Sequence, residues 1–310
     1  MRVIVLGLGV QGHKRRDVAG DDVVATVDPY NDEADFRSVE DVTLSAYDAV
    51  LACMPDSAKI DVLEYCLTNG KHVLVEKPLL AGSRSEIESL LSLAQAKNVV
   101  CYTAYNHRFE PHFVRMRDLL ESEALGDIYT CRMFYGNGTA RLVKESAWRD
   151  VGAGVLPDLG SHLLDTIRFW FGERSYDFEL LSAHRFENRA PDHVTIVSST
   201  SAPAISLEMT LLMWRNHFTC DILAEKGSAH IASLCKWGPT SFVHRTRVMP
   251  SGRPLEESVT LVQGDPTWEA EYEHFKTLCA AGSSTSLITD MWLNDEIQRL
   301  SAAVGSEVTA

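Results

Sequence analysis

The chain has no apolar run long enough to span a bilayer and no charged-then-apolar leader before its first strand-like segment. The expectation is a cytoplasmic protein with no membrane partner. Its seven cysteines, at 53, 66, 101, 131, 220, 235 and 279, include no Cys-x-x-Cys pair. That dispersed, odd set reads as buried free thiols in a reducing compartment rather than a disulfide frame or a zinc site. Positive charge is also short: 29 Lys and Arg stand against 43 Asp and Glu, a formal net charge of −14. Nucleic acid and anionic membrane surfaces attract basic faces, so neither is expected as a partner. A phosphorylated or nucleotide-linked small molecule stays compatible, because a local pocket can be positive on an acidic protein. There is no internal repeat and no low-complexity tract.

What remains is an ordinary globular composition of 310 residues, 45% hydrophobic and 23% charged, long enough for two domains. The first hundred residues alternate strand and helix. Val3-Ile4-Val5-Leu6, Val23 to Val27, Ala49 to Ala52, His72 to Val75 and Val99 to Tyr102 are short apolar runs, as strands buried on both faces require. Helical stretches fall at about Ser57 to Thr68 and Arg84 to Lys97. This rhythm predicts an α/β fold: an N-terminal doubly wound parallel sheet of the Rossmann type over 1–120. Beyond it the texture changes to longer alternating segments: Ile128 to Tyr135, Phe178 to Phe186, His193 to Ser199, Ala204 to Met213 and Phe218 to Leu223. These predict a C-terminal α+β domain over 121–310 with a large, open, mostly antiparallel sheet. Helices are expected at Gly160 to Phe171, Trp268 to Ala281 and Asp290 to Ala303, and a turn at Ser251 to Pro254. The apolar alternates Met209, Leu211 and Met213 suggest an open sheet face that pairs with another copy, giving a homodimer or homotetramer.

Four local signals follow one another in order. Gly7-Leu8-Gly9-Val10-Gln11-Gly12 lies between a strand and a helix. In a dinucleotide-binding turn the first glycine permits the tight bend, the second admits the pyrophosphate, and the third packs helix on strand. Free N–H groups at the helix start, at Val10 and Gln11, then face the phosphates. The space left before the second strand predicts a first helix of roughly two turns. Asp28, ending the second strand, sits where a carboxylate accepts from ribose hydroxyls and repels a 2′-phosphate, which favours NAD over NADP. Lys14, Arg15 and Arg16 read as solvated surface charge, with reception of a 2′-phosphate as the alternative.

Glu76-Lys77-Pro78 ends the fourth strand, on the carboxyl edge where open α/β sheets bind ligands, so Glu76 and Lys77 are cofactor-side candidates. Proline after Lys77 biases its backbone to an extended form, and a lysine in a cleft can polarise a hydroxyl or carbonyl oxygen. In Asp158-Leu159-Gly160-Ser161-His162-Leu163-Leu164-Asp165, helical spacing puts Asp158, His162 and Asp165 on one face. A histidine flanked by carboxylates is oriented and made more basic, as a general base needs. Two carboxylates and one imidazole make a poor zinc site, so no metal is expected.

With these residues the chain resembles the glucose-fructose oxidoreductase / inositol dehydrogenase (Gfo/Idh/MocA) family. The likeness rests on the glycine turn, Glu76-Lys77-Pro78, Asn106-His107-Arg108-Phe109, and Gly152 to His162. It implies oxidation or reduction, with NAD or NADP, of a secondary hydroxyl or ketone on a sugar, sugar derivative or cyclitol. Lys77 would be the active-site lysine and Asp158 and His162 an acid–base pair. Arg108, Trp148 and Arg149 would fall among substrate contacts, and Pro55 near the cofactor. Where the family pattern reads Thr-Pro-Asn with a histidine three residues on, this chain has Met54-Pro55-Asp56 and Lys59. Two other readings stay open: a reductase of a nucleotide-linked keto-sugar or a non-sugar substrate, and a dinucleotide-sensing regulator without catalysis. Retention of Lys77, Asp158 and His162 together speaks against the regulator.

Overall fold

The computed structural model describes residues 1–146, 149–198, 203–282 and 287–307, with residues 306 and 307 described by backbone alone. It forms two compact units, Met1–Asn106 with Thr267–Asp295, and His107–Pro266 with Glu296–Ala310. The division of 1–120 and 121–310 read from the sequence does not include this return of the chain to the first unit.

In the first unit, β1 (Val3–Leu6), β2 (Val23–Val27), β3 (Ala49–Ala52), β4 (His72–Glu76) and β5 (Cys101–Ala104) make a parallel sheet in the order β2-β1-β3-β4-β5. The alternation of β1 shows why its run is continuously apolar. Val3 and Val5 enter a core with Ala19, Tyr272 and Phe275, while Ile4 and Leu6 enter a second core with Leu63, Leu67, Ile87 and Leu90. Helices α2 (Asp56–Thr68) and α3 (Arg84–Lys97) supply that second core; α1 (Val10–Ala19) supplies the first. Each fully buried Leu or Ile contributes about 1.5–3 kcal/mol of transfer free energy.

Two local expectations are corrected. Helix α1 has 10 residues rather than two turns, because it starts at Val10 inside the glycine turn instead of after it. The fifth strand runs Cys101–Ala104, two residues later than the apolar run Val99 to Tyr102, with Val99 and Val100 already buried before pairing begins.

In the second unit, eight strands form one sheet in the order β13-β12-β11-β10-β6-β9-β8-β7. They are β6 (Ile128–Gly136), β7 (Glu179–His184), β8 (His193–Ser198), β9 (Ala204–Thr210), β10 (His217–Ala224), β11 (Gly227–Ala232), β12 (Thr240–Thr246) and β13 (Leu255–Leu261). Adjacent strands pair antiparallel except β6 with β9, which are parallel. Strands β11 to β13 escape the sequence reading because their alternation is mostly polar, as in Leu255–Leu261. Helices α4 (Pro111–Glu121) and α6 (Ser161–Phe171) pack together, and Trp170 Nε1 donates to the Phe113 carbonyl at 3.0 Å. A short helix, α5, spans Ala140–Lys144.

The expected open face is corrected too. Met209 is 0% and Leu211 2% exposed, and Met209 Sδ lies 2.8 Å from where a Cβ on Gly160 would sit. These apolar alternates face inward. Ser206 and Glu208, on the other side of β9, are the half-exposed residues. Helix α7 (Thr267–Ala281) belongs to the first unit, and α8 (Ile288–Glu307) runs from the first unit into the second. Among the described residues no helix is long and apolar enough to cross a membrane.

Candidate active site

In the first unit, the glycine turn, Asp28, Pro55 and Glu76-Lys77 all follow or end strands at the carboxyl edge of one sheet. Parallel register fixes this: Leu6 pairs with Val27 and with Ala52, and Ala52 pairs with Val75. Gly7 has φ +87°, and a Cβ there would lie 2.7 Å from the Cys53 carbonyl oxygen. A Cβ on Gly12 would come within 1.8 Å of the Gly7 oxygen. Gly9 differs: a Cβ there meets nothing within 4 Å, and Val10 beside it is 77% exposed. Two glycines are therefore demanded by the protein's own packing, while the middle one faces open space at the start of α1. Unbonded N–H groups at that start suit a pyrophosphate.

Asp28 is tied into the same turn. Its Oδ2 accepts from Leu8 N at 2.7 Å, and its Oδ1 from Tyr30 N at 2.8 Å and Asn31 N at 2.9 Å. Burial opposes its charge, but the three backbone donors win and hold its carboxyl below the usual range. Pro55 is the exposed residue preceding α2. Glu76 is half-buried and accepts from Arg15 Nε at 2.8 Å.

Arg15 is a correction. It is not solvated surface charge: its side chain is 2% exposed, paired with Glu76 and, at 2.7 Å, with Glu271 of α7, which is 0% exposed. Its guanidinium carbon sits 4.3 Å from the centre of the Trp268 ring. Burial opposes the charge of Arg15, and the carboxylates of Glu271 and Glu76 more than offset it, raising its pKa. Lys14 stays on the surface, its Nζ 4.9 Å from the Trp268 ring centre. The basic run gives no sign of this, because the partners lie in distant segments.

In the second unit the segment 158–165 is not one regular helix. Leu156–Gly160 is a π-helical turn, and α6 begins at Ser161. Such turns add a residue to the helical repeat and concentrate at functional sites. Asp158 is about one-third exposed, and its Oδ2 accepts from Arg149 at 3.3 Å. His162 is 6% exposed and stacks on His107, ring centres 4.0 Å apart, with the Tyr135 ring 6.0 Å away. Asp165 is held by Arg108, whose guanidinium donates to both its oxygens, through Nε at 2.9 Å and through Nη2. Asp165 is 1% exposed, and burial raises its pKa against the opposing pull of Arg108. The fork of Arg108 is thus committed to a buried carboxylate. Trp148 lies outside the described residues.

Sequence reasoning missed Tyr135 beside His162 and the side chains that gather on Tyr135. Tyr135 projects from the inner face of β6, and its ring centre is 5.7 Å from that of Trp237. Lys236 Nζ lies 3.4 Å from Tyr135 Oη and 4.9 Å from the Trp237 ring centre. Burial pushes the Lys236 ammonium below the usual lysine range, while Glu110, Asp265 and Asp158 pull it back up. Glu110, 2% exposed, accepts from Cys235 N at 3.2 Å, and burial raises its pKa. Inward alternation on β6 could have flagged Tyr135; Lys236-Trp237 carries no local signal. Among the described residues no three His, Cys, Asp or Glu side chains gather as a metal site.

A parallel sheet with an open glycine turn at its carboxyl edge, joined in one chain to an α+β unit, defines a two-unit protein of the Rossmann dinucleotide-binding class. Residues 3–105 match the family model described as an oxidoreductase family with an NAD-binding Rossmann fold, and residues 113–230 match the GFO/IDH/MocA C-terminal domain. The chain belongs to the Gfo/Idh/MocA oxidoreductase family.

Among curated relatives, a trans-1,2-dihydrobenzene-1,2-diol dehydrogenase of Xenopus laevis is 30% identical over 186 residues, 59% of this chain and 54% of that protein. A scyllo-inositol 2-dehydrogenase (NADP(+)) of Bacillus subtilis is 29% identical over 140 residues, 44% of this chain and 38% of that protein. The matched stretches thus span about half of the first relative and less of the second. A solved levoglucosan dehydrogenase in complex with NADH shares the fold, with TM-score 0.80 at 19% identity over 98% of this chain and 97% of that one.

Proposed function

We propose that the protein is a dehydrogenase that moves a hydride between a nicotinamide cofactor and a secondary hydroxyl or ketone of a sugar, sugar derivative or cyclitol. The observation that carries this reading is the glycine turn. Gly9 is left open at the exposed start of α1, on the same sheet edge that ends in Glu76 and Lys77. The bound nicotinamide supplies the hydride acceptor or donor. Lys77 hydrogen-bonds the reacting oxygen and stabilises its developing negative charge. His162 takes the hydroxyl proton, with Asp158 and Arg149 setting the polarity of its surroundings. Tyr135 and Trp237 offer ring faces to a cyclic substrate, and Lys236 a hydrogen-bond donor. The names of relatives acting on a diol, an inositol and levoglucosan support a cyclic hydroxylated substrate.

NAD is the favoured cofactor. Asp28 keeps its charge at the end of β2, and Arg15, one of three basic residues that could receive a 2′-phosphate, is buried in ion pairs. Arg37 is the counterweight: its charge helps to depress the Asp28 pKa, and it pairs with Asp32 at 2.6 Å. Turnover with NAD against NADP tests this; a preference for NADP would transfer the role to Arg37. A homodimer or homotetramer through the half-exposed side of the eight-stranded sheet completes the proposal, and light scattering of the purified chain tests it.

A further inference from the structure

Lys59 is unlike the other lysines of the first unit. It lies in the first turns of α2, its side chain is 3% exposed, and its ammonium meets three oxygens. Nζ donates to the Glu76 carbonyl at 2.8 Å and to the Pro78 carbonyl at 2.8 Å, and pairs with Asp56 Oδ1 at 2.6 Å. A lysine ammonium has three N–H bonds, so its donors are all used. Two of the acceptors are the backbone carbonyls on either side of Lys77. Burying an ammonium opposes its charge, and here burial lowers the Lys59 pKa despite Asp56. A cost of this kind is not needed to close a surface turn, since the same two carbonyls could face water.

We infer that Lys59 is a positioning residue: it clamps the backbone on both sides of Lys77 and thereby fixes where the Lys77 side chain projects. This rests on the reading of Lys77 as the group that hydrogen-bonds the reacting oxygen. The physical reason is leverage. Rotation of the 76–78 segment about its own axis would swing the long Lys77 side chain through several ångströms, and catalysis is sensitive to displacements of about 1 Å. Hydrogen bonds to both flanking carbonyls resist that rotation, and one alone would not. Asp56, half-exposed at 51%, holds the third N–H and balances the charge without touching the segment. The long side chain of Lys59 thus reaches carbonyls on β4 and beyond it from the start of α2.

The test compares Lys59→Met, Lys59→Gln, Asp56→Asn and Lys77→Met in the full-length protein. Four quantities are read: NAD affinity, melting temperature, kcat, and KM for a neutral polyol such as myo-inositol or another substrate found by screening. Lys59→Met, which keeps the apolar stem, is expected to lower kcat on the order of 100-fold, as misplacement of a catalytic group does, with NAD affinity within about 3-fold. Lys59→Gln retains an amide N–H₂ able to reach the carbonyls and is expected to recover at least ~10-fold of that loss. Asp56→Asn keeps an oxygen that can accept the third N–H and leaves both carbonyl hydrogen bonds in place, so its kcat is expected to stay within about 3-fold of the parent.

A folded Lys59→Met with parental kcat overturns the inference. So does a loss confined to KM or to NAD affinity, which would make Lys59 part of cofactor packing. If Lys59→Met does not fold, Lys59→Gln decides: folded but without appreciable activity, it shows that the carbonyl hydrogen bonds do not carry the effect. Lys77→Met separates the two levels. If it leaves turnover unchanged, the dehydrogenase reading of Lys77 fails, whatever the Lys59 variants show.

Discussion

Replacing Arg15 by methionine probes the buried framework beneath the glycine turn. The guanidinium makes ion pairs of 2.8 Å to Glu76 and 2.7 Å to Glu271, with 2%, 13% and 0% of the three side chains exposed. Methionine keeps most of the apolar stem beside Trp268 but leaves Glu271 as a buried carboxylate without this partner. Removing one member of a buried pair costs about 3–5 kcal/mol, chiefly because the surviving charge stays desolvated. At ~2 °C per kcal/mol for a chain of this size, the melting temperature should fall by about 6–10 °C. The double variant Arg15→Met/Glu271→Gln should recover part of that loss, a coupling of about 1–3 kcal/mol between contacting residues. Thermal unfolding followed by circular dichroism, with and without NAD, reads both. An unchanged melting temperature would overturn the buried pairing, the more so with a selective loss of NADP binding. Arg15 would then be the solvent-facing cation that its sequence neighbourhood suggests.

Other outcomes follow from the same geometry. Gly9→Ala should leave the melting temperature unchanged yet weaken NAD binding at least ~10-fold by titration, because its Cβ enters only the space left for the phosphates. Gly12→Ala, driven into the Gly7 carbonyl, should lose both stability and NAD binding. Asp28→Asn should cost about 1–2 kcal/mol at neutral pH, since three backbone donors lose a charged acceptor. The folded-state pKa of Asp28 is depressed, so its contribution is present above the unfolded value of ~3.9 and lost as pH falls through the folded one. Urea midpoints of the two proteins should therefore begin to approach each other as pH falls below about 4 and coincide only below the depressed folded-state value. Arg108→Ala strands the buried Asp165 and should destabilise by about 3–5 kcal/mol; a loss under ~1 kcal/mol in urea unfolding would contradict the pairing.

The parallel sheet was legible because strands buried on both faces must be apolar at every position, and Val3–Leu6 and Ala49–Ala52 are. The glycine turn was legible because Gly7 and Gly12 are required by backbone contacts that no side chain tolerates. Partners far apart in sequence were not legible. Arg15 looks like one more solvated charge in a basic run, and nothing nearby announces Glu76 or Glu271. Met209 and Leu211 have the alternation of a half-buried strand, but alternation alone does not say which side of the sheet is covered. Lys59 reads as the fourth residue of an ordinary helix until the carbonyls of Glu76 and Pro78 are placed around it. The π turn at Leu156–Gly160 was invisible because apolar spacing does not distinguish it from α-helix over so short a stretch.

Proton and charge transfer by Lys77 and His162 at a nicotinamide cofactor is the core of the proposed function. Its most direct measurement is NAD reduction by the parent protein, Lys77→Met and His162→Ala across cyclitols, aldoses, sugar acids and nucleotide sugars, with NAD affinity titrated in parallel. Turnover with one substrate class by the parent is expected, with a loss of at least ~100-fold in each variant and NAD affinity nearly unchanged in all three. Turnover near the parental rate in both variants would contradict it.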